Sequence, residues 1–290
     1  MKLVLIVNPR AGGGRAGRAL AGVEATLSSL GLEHRSEHTR GLEHARKLAR
    51  DTVAGGEVVV AFGGDGLVGA IAGALKDTDG VLGILPGGRG NDLARALGIP
   101  LEPNAACDVL ASGVAQPLDL GEVNGRIFIS IASCGFDSVA NRIANETKLV
   151  RGNLVYAYGA LRALAGWRPA TFTIELDGAQ PRTFTGYTVA AANSNAYGGG
   201  MLLAPDASPR DGLLDVVIVG HASKLRFLRL LPTVFSGAHV REPNVEVIRS
   251  ATVRIGASRP FTMYADGDPI AELPVTVRAL PAAIRVIVPR

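Results

Sequence analysis

Val58-Val59-Val60-Ala61-Phe62-Gly63-Gly64-Asp65-Gly66 decides the reading of this chain. Five apolar residues without alternation read as a strand buried on both faces, the pattern of a parallel sheet. Glycines follow at once, and residues 67–75 return to helical spacing. A strand that ends in a glycine turn and opens a helix leaves free N–H groups at the carboxyl edge of the sheet, where an anion is held. The same rhythm recurs on either side. Upstream, strand 3–7 leads to helix 17–30, and strand 32–39 to helix 42–53. Downstream, strand 81–85 leads to a helix opening over 92–97. Four strand–helix alternations predict a doubly wound α/β domain over residues 1–120.

Beyond about residue 120 the rhythm changes. Short turn-bounded runs at 126–132, 171–176, 183–193, 213–219, 245–248, 251–255 and 275–279 predict a mostly antiparallel β-rich domain over 121–282. Helices are expected at about 137–166 and 223–235. Residues 283–290 fit either domain.

The 290 residues include 37 glycines, where average usage of roughly 7% gives about 20. Hydrophobic residues make up 47% of the chain and no Gly-x-y period runs through it, which excludes collagen and disorder as the source of the surplus. A formal charge of +4 is a weak nucleic-acid signal, and no nucleic-acid partner is expected. Cys107 and Cys134 form neither a CxxC pair nor a disulfide framework, so a reducing compartment is the default. The apolar start is too short for a signal peptide, and no run approaches the ~18 residues of a membrane span. The expectation is a soluble, cytoplasmic protein.

Four clusters hold 14 of the glycines: 12, 13, 14 and 17; 63, 64, 66 and 69; 87, 88 and 90; and 198–200. The first three each follow a predicted buried strand, so three loops of one sheet point to a polyphosphate ligand. Gly12–Gly17 matches G-x-G-x-x-G with Glu37 downstream, yet Asn8-Pro9-Arg10-Ala11 lengthens the turn, and a Rossmann site, another phosphate loop and an ordinary turn all stay open. Asp65 is a carboxylate inside a phosphate-type loop, which calls for a cation, a hydroxyl or a donor beside it. In Pro86-Gly87-Gly88-Arg89-Gly90-Asn91-Asp92, Asn91 or Asp92 is placed to cap the next helix. Five histidines show no metal spacing.

The order and spacing of Asn8-Pro9, Gly63–Gly66, Pro86–Arg95, Ser133–Asp137, Asn193, Asp206–Val216 and Asp266-Gly267-Asp268 resemble the diacylglycerol kinase catalytic-domain family, and cover nearly the whole chain. The resemblance implies an NAD kinase-like, Rossmann-like α/β domain completed by a β-rich domain, with ATP in the cleft and a lipid hydroxyl as acceptor of its γ-phosphate. By positional match, Asn8, Thr39, Gly63, Gly64, Asp65, Gly66, Leu67, Val68, Gly69, Gly88, Arg89 and Asn91 line the nucleotide. Ser208, Asp211 and Leu213 match an Mg2+ site built largely from backbone carbonyls, and Asp268 falls where the family usually has a glutamate as proton acceptor. Leu67 and Arg89 stand where the family usually has threonine; arginine can make a charge-assisted contact to phosphate, and leucine cannot donate.

The expected mechanism gives the phosphates to glycine-loop N–H groups and Arg89, Mg2+ or the acceptor hydroxyl to Asp65, and the general base to Asp268, with Asp65 as the other candidate base. An NAD kinase-like small-molecule kinase and a catalytically weak nucleotide- or lipid-binding regulator are the alternatives. A lipid acceptor implies peripheral contact with a membrane. Residues 223–235, with Lys224, Arg226 and Arg229 among leucines and phenylalanines, and 148–168, with Lys148, Arg151, Arg162, Arg168, Tyr156, Tyr158 and Trp167, are the candidate surfaces, core packing being the competing reading of the first. A homodimer is left open.

Overall fold

The computed structural model describes residues 2–147 and 154–290. In the first half, β1 (Lys2–Val7), α1 (Ala11–Ser29), β2 (Glu33–His38), α2 (Leu42–Ala54), β3 (Val58–Gly63), α3 (Asp65–Leu75), β4 (Val81–Pro86), α4 (Asp92–Ala96) and α5 (Pro103–Ser112) follow in turn. The strands pair in parallel in the order β4-β3-β1-β2. Leu3 to Val7 and Val59 to Phe62 are wholly buried, as unbroken apolar runs between two helix layers require.

The second half comprises β5 (Val114–Val123), β6 (Arg126–Phe128), β7 (Ile131–Gly135), α6 (Phe136–Glu146), α7 (Leu154–Gly166), β8 (Ala170–Leu176), β9 (Arg182–Ala192), β10 (Leu214–Gly220), α8 (Lys224–Leu230), β11 (Val245–Ser250), β12 (Thr252–Ala257), β13 (Thr262–Ala265), β14 (Asp268–Glu272) and β15 (Val275–Val288). Its strands pair antiparallel with one another. The fold is therefore an α/β domain followed by an antiparallel β domain, as the strand–helix alternation and its later loss predict.

Besides β13 and β14, which no expected run covers, three details differ from the sequence reading. The expected helix 223–235 is α8 followed by a tighter 3₁₀ turn over Leu231–Ser236, where Pro232 removes a backbone donor. Helix α5 went unread, although Glu102 caps it by accepting from the Ala105 N–H (2.7 Å) and Pro103 opens it. Strand β5 lies in a stretch where no strand is expected, β15 runs well past the expected 275–279, and the two pair antiparallel along most of their length, Val277 opposite Val123 and Val288 opposite Val114. At its start β15 also pairs with β12, and at its end it runs parallel to β4, Arg285 beside Val81. Ile284, Val286, Ile287 and Val288 pack in the hydrophobic core of the first half. A separate core, including Phe128, Phe172, Tyr187, Val216 and Val277, fills the second.

Candidate functional site

The parallel register brings the carboxyl ends of the four strands to one edge, with Val7 beside His38 and Phe62, and Gly63 beside Pro86. The ladder runs on into the loops. Asn8 N–H donates to Phe62 O (3.0 Å), Thr39 N–H to Val7 O (2.9 Å) and Gly87 N–H to Gly63 O (2.7 Å). Three glycine loops are thereby stacked backbone on backbone. A Cβ at Gly12 would sit 2.5 Å from Gly87 O, and one at Gly88 would sit 2.4 Å from the Gly64 Cα. Gly12, Gly13 and Gly14 all have positive φ. The glycines are needed for this mutual approach as well as for any ligand. We expect Gly88→Ala to force the second and third loops apart and to cost about 1–3 kcal/mol, read from the denaturant midpoint. An unchanged midpoint would show that the stack has room to spare.

Asp65 opens α3, and its carboxylate accepts from the Asn91 N–H (2.8 Å) and the Asp92 N–H (2.6 Å) at the start of α4. The donor that the sequence demanded beside this carboxylate is backbone. Neither Asn91 nor Asp92 caps the helix itself. Asn91 takes the left-handed conformation (φ 53°), and its side chain instead accepts from Gly88 N–H (2.9 Å) and donates to Gly88 O. Asp92 reaches across to the other domain and accepts from the Gly199 N–H at 2.9 and 3.2 Å. Burial, and then Asp65, raise the Asp92 carboxyl above its ordinary value. The fourth glycine cluster is thus the piece of the β domain that meets the third loop.

Asp266 and Gly267 are the two-residue turn of the β13–β14 hairpin, both with positive φ as a type I′ turn requires. The turn aims the Asp266 carboxylate at the N–H groups of Ile129 (2.7 Å), Ser130 (2.9 Å) and Ile131 (3.3 Å). Its Oδ2 also lies 3.9 Å from where a Cβ at Gly69 would be, so it abuts α3. Burial pushes it up to about 6, the three N–H groups oppose that, and Asp65 adds to it. Because this value lies above the roughly 4 of an unfolded aspartate, the group's contribution to stability is greatest below about pH 4. It is withdrawn as pH rises through about 6 and amounts to no more than about 3 kcal/mol. A carboxyl carbon-13 titration should find one aspartate with an inflection near pH 6 that moves down in Asp65→Asn. An inflection that stays put in that variant would separate the two carboxylates.

A second polar knot lies on the β domain. Asp137 accepts from the Ser133 hydroxyl and from the Tyr197 hydroxyl (3.2 Å), which in turn accepts from Asn141 Nδ2 (2.7 Å). Burial raises Asp137, and burial, Asp137 and Asp266 together raise Tyr197 well above the usual tyrosine range.

The turn holding Ser208, Asp211 and Leu213 is tied down by Asp119, which is 4% exposed. Asp119 accepts from the N–H groups of Gly212 (2.7 Å) and Ala282 (2.7 Å) and donates its own N–H to Pro209 O (2.9 Å). Among the described residues no hydrogen bond reaches the carbonyls of Ser208, Asp211 or Leu213. Three unpartnered carbonyl oxygens in one turn suit a hard cation such as Mg2+. No group of three or more His, Cys, Asp or Glu side chains placed to hold a metal occurs among the described residues.

Asn8, Thr39, Gly63, Gly64, Asp65, Gly66, Gly88 and Asn91 therefore gather at the sheet edge, and Arg89 is exposed beside them. Leu67 (2% exposed) and Val68 (4%) turn their side chains into the core. A leucine where a threonine was expected is thus a packing residue. Asp268 is exposed at the start of β14, and among the described residues its carboxylate accepts no hydrogen bond. Glu37, the Rossmann candidate, is ion-paired with Arg35 at 3.0 Å. Asp92, Asp119, Asp266 and Tyr197 were not singled out as site residues; only the Asp-Gly hairpin signal of Asp266 was there to be read.

Residues 2–123 match the diacylglycerol kinase catalytic domain, and residues 130–288 match the YegS C-terminal NAD kinase beta sandwich-like domain. A diacylglycerol kinase of Mycobacterium tuberculosis is 38% identical over 100% of this chain and 96% of its own length. One from Bacillus subtilis is 30% identical over 99% and 96%. Among solved structures, a diacylglycerol kinase from Bacillus anthracis superposes with TM-score 0.76 at 21% identity, over 99% of this chain and 96% of the other. An NAD kinase from Archaeoglobus fulgidus in complex with ATP gives 0.52 at 14% identity, over 99% and 93%. These two likenesses concern the fold.

Proposed function

The chain belongs to the diacylglycerol kinase catalytic-domain family, and from that premise we propose that it transfers the γ-phosphate of ATP to the hydroxyl of a diacylglycerol-like lipid. The observation that carries this reading is the stack of three glycine loops at one sheet edge, faced by Asp65, Asp92 and Asp266. Backbone N–H groups of the loops and the exposed Arg89 take the phosphates. Asp65 acts as a positioning residue. With both oxygens on the Asn91 and Asp92 N–H groups, it fixes the third loop against the second. Asp268 accepts the proton of the acceptor hydroxyl, since its exposed carboxylate accepts no hydrogen bond among the described residues. The division at about residue 120 is part of this reading, each domain supplying one wall of the cleft.

Mg2+ would be held by the carbonyls of Ser208, Asp211 and Leu213, where a bound cation neutralises charge and stiffens the turn that Asp119 anchors. A lipid acceptor also requires peripheral contact with a membrane; among the described residues no helix is long and apolar enough to cross one.

Incubating the purified chain with radiolabelled ATP and a panel of lipids in mixed micelles, with and without Mg2+, tests the reading. Label is expected in a lipid carrying a free hydroxyl. Label only in a soluble alcohol such as NAD would favour a small-molecule kinase, and nucleotide binding without turnover would favour a regulator.

A further inference from the structure

Helix α8 carries more apolar residues than one buried face can use, and the structure shows where the excess goes. Phe227 and Leu230 are buried. Phe227 stacks on Tyr187 at 3.9 Å between ring centroids and meets Phe136 edge-on at 4.7 Å, which fixes the rotation of the helix. The opposite face is thereby held outward: Leu225 is 58% exposed, Leu228 37%, and Phe235 at the end of the following turn 62%. Leu225 and Leu228, three residues apart, share one side of the helix, and Phe235 lies on the 3₁₀ turn that follows it.

Helix α7 continues this surface. Lys224 Nζ donates to the Ala165 carbonyl (2.8 Å), joining the start of α8 to the end of α7, whose Leu161 is 55% exposed and whose Tyr158 is 36% exposed. Most of the large apolar side chains exposed among the described residues thus lie on α7, α8 and the turn that follows α8, whereas Leu30 and Leu42 stand apart in the other domain and Val247 lies on β11. Trp167, counted with this surface in the sequence, is 4% exposed and belongs to the core. Lys148 and Arg151 lie outside the described residues.

Four exposed cations, Arg162, Lys224, Arg226 and Arg229, frame the apolar residues. Two carboxylates accompany them. Glu242 pairs with Arg226 at 2.8 Å, and Glu146 lines a hollow of about 420 Å³ with Arg162. The patch is net positive around an apolar centre, the charge arrangement that an anionic lipid surface complements. It also adjoins the polar knot of the β domain. Helix α6 begins at the Asp137–Tyr197 knot and packs against α7.

We propose that the joined face of α7 and α8 is the surface by which this protein docks on an anionic bilayer, with Leu161, Leu225, Leu228 and Phe235 entering the interface and Arg162, Lys224 and Arg229 meeting lipid phosphates. The assignment rests on the lipid-kinase reading for its purpose, and its test is independent of that activity.

Sedimentation with vesicles of phosphatidylcholine, alone or mixed with phosphatidylglycerol, measures it. The chain is expected to bind the mixed vesicles and to leave them as salt rises. The triple variant Leu225→Ser, Leu228→Ser, Phe235→Ser should bind at least about tenfold more weakly. Arg229→Glu should lose at least about fivefold, the worth of one cation near such a surface. Leu30→Ser and Leu42→Ser serve as controls and should bind as the parent does, and thermal melts report whether each variant is folded. Parent-like binding by the folded triple variant, or equal losses in the controls, would overturn the assignment. So would a sedimentation coefficient showing that the triple variant converts a dimer to a monomer, because the patch would then face a second copy. Phosphorylation of a short-chain, water-soluble diacylglycerol separates the two readings. Turnover with unaltered vesicle binding in the triple variant refutes the docking face alone, and vesicle binding lost as expected without any turnover refutes the kinase reading alone.

Discussion

Asp268→Asn will lower the turnover of lipid phosphorylation by about 10²–10⁴-fold while leaving nucleotide affinity nearly unchanged, the range expected for loss of a positioned general base. The reason is the state of the neighbouring carboxylates. Asp65 holds two backbone N–H groups, Asp92 holds Gly199, and Asp266 holds three residues of the 129–131 segment. A proton on any of them would weaken the charge-assisted hydrogen bonds by which it holds these segments together. Asp268 is exposed and, among the described residues, its carboxylate accepts no hydrogen bond, so it is open to an acceptor hydroxyl. Asp268→Glu lengthens the side chain by one methylene and should keep most of the rate. Near-parental turnover in Asp268→Asn would transfer the base to another group.

Asp65→Ala is expected to cost about 2–4 kcal/mol of stability and at least a hundredfold in turnover. Two N–H groups at the start of α4 lose their partner, and each unmet buried donor costs about 1–3 kcal/mol. Asn91 is 5% exposed and Asp92 7%, so water reaches them poorly, and the five-residue helix has no cap of its own. Asp65→Asn keeps one accepting oxygen and should fall between parent and alanine. It should also lower the Asp92 and Asp266 carboxyls, because both are raised by the Asp65 charge. If Asp65→Ala unfolds at the same urea concentration as the parent, the carboxylate does not hold the third loop.

Much of the fold was legible because its signals are local. Unbroken apolar runs at 3–7 and 58–62 exclude a one-sided sheet; Asn8-Pro9 ends the first, and Gly63-Gly64 ends the second. The same kind of signal was present but unread in Pro103 after Glu102, which opens α5, and in Asn124-Gly125 and Asp266-Gly267, which turn two hairpins. The resemblance places Leu67 at the nucleotide by position; its side chain packs in the core, so only its backbone is left for that role.

The chain's own pattern determined which loops carry glycine and that they share one edge of a parallel sheet. Only the tertiary structure decided what each carboxylate does. Asp65 meets residues 26 and 27 positions away, Asp92 one 107 away, and Asp266 residues up to 137 away. Their partners are backbone N–H groups, which every non-proline residue possesses, so no side-chain pattern marks them and only the packing of loops and strands selects them.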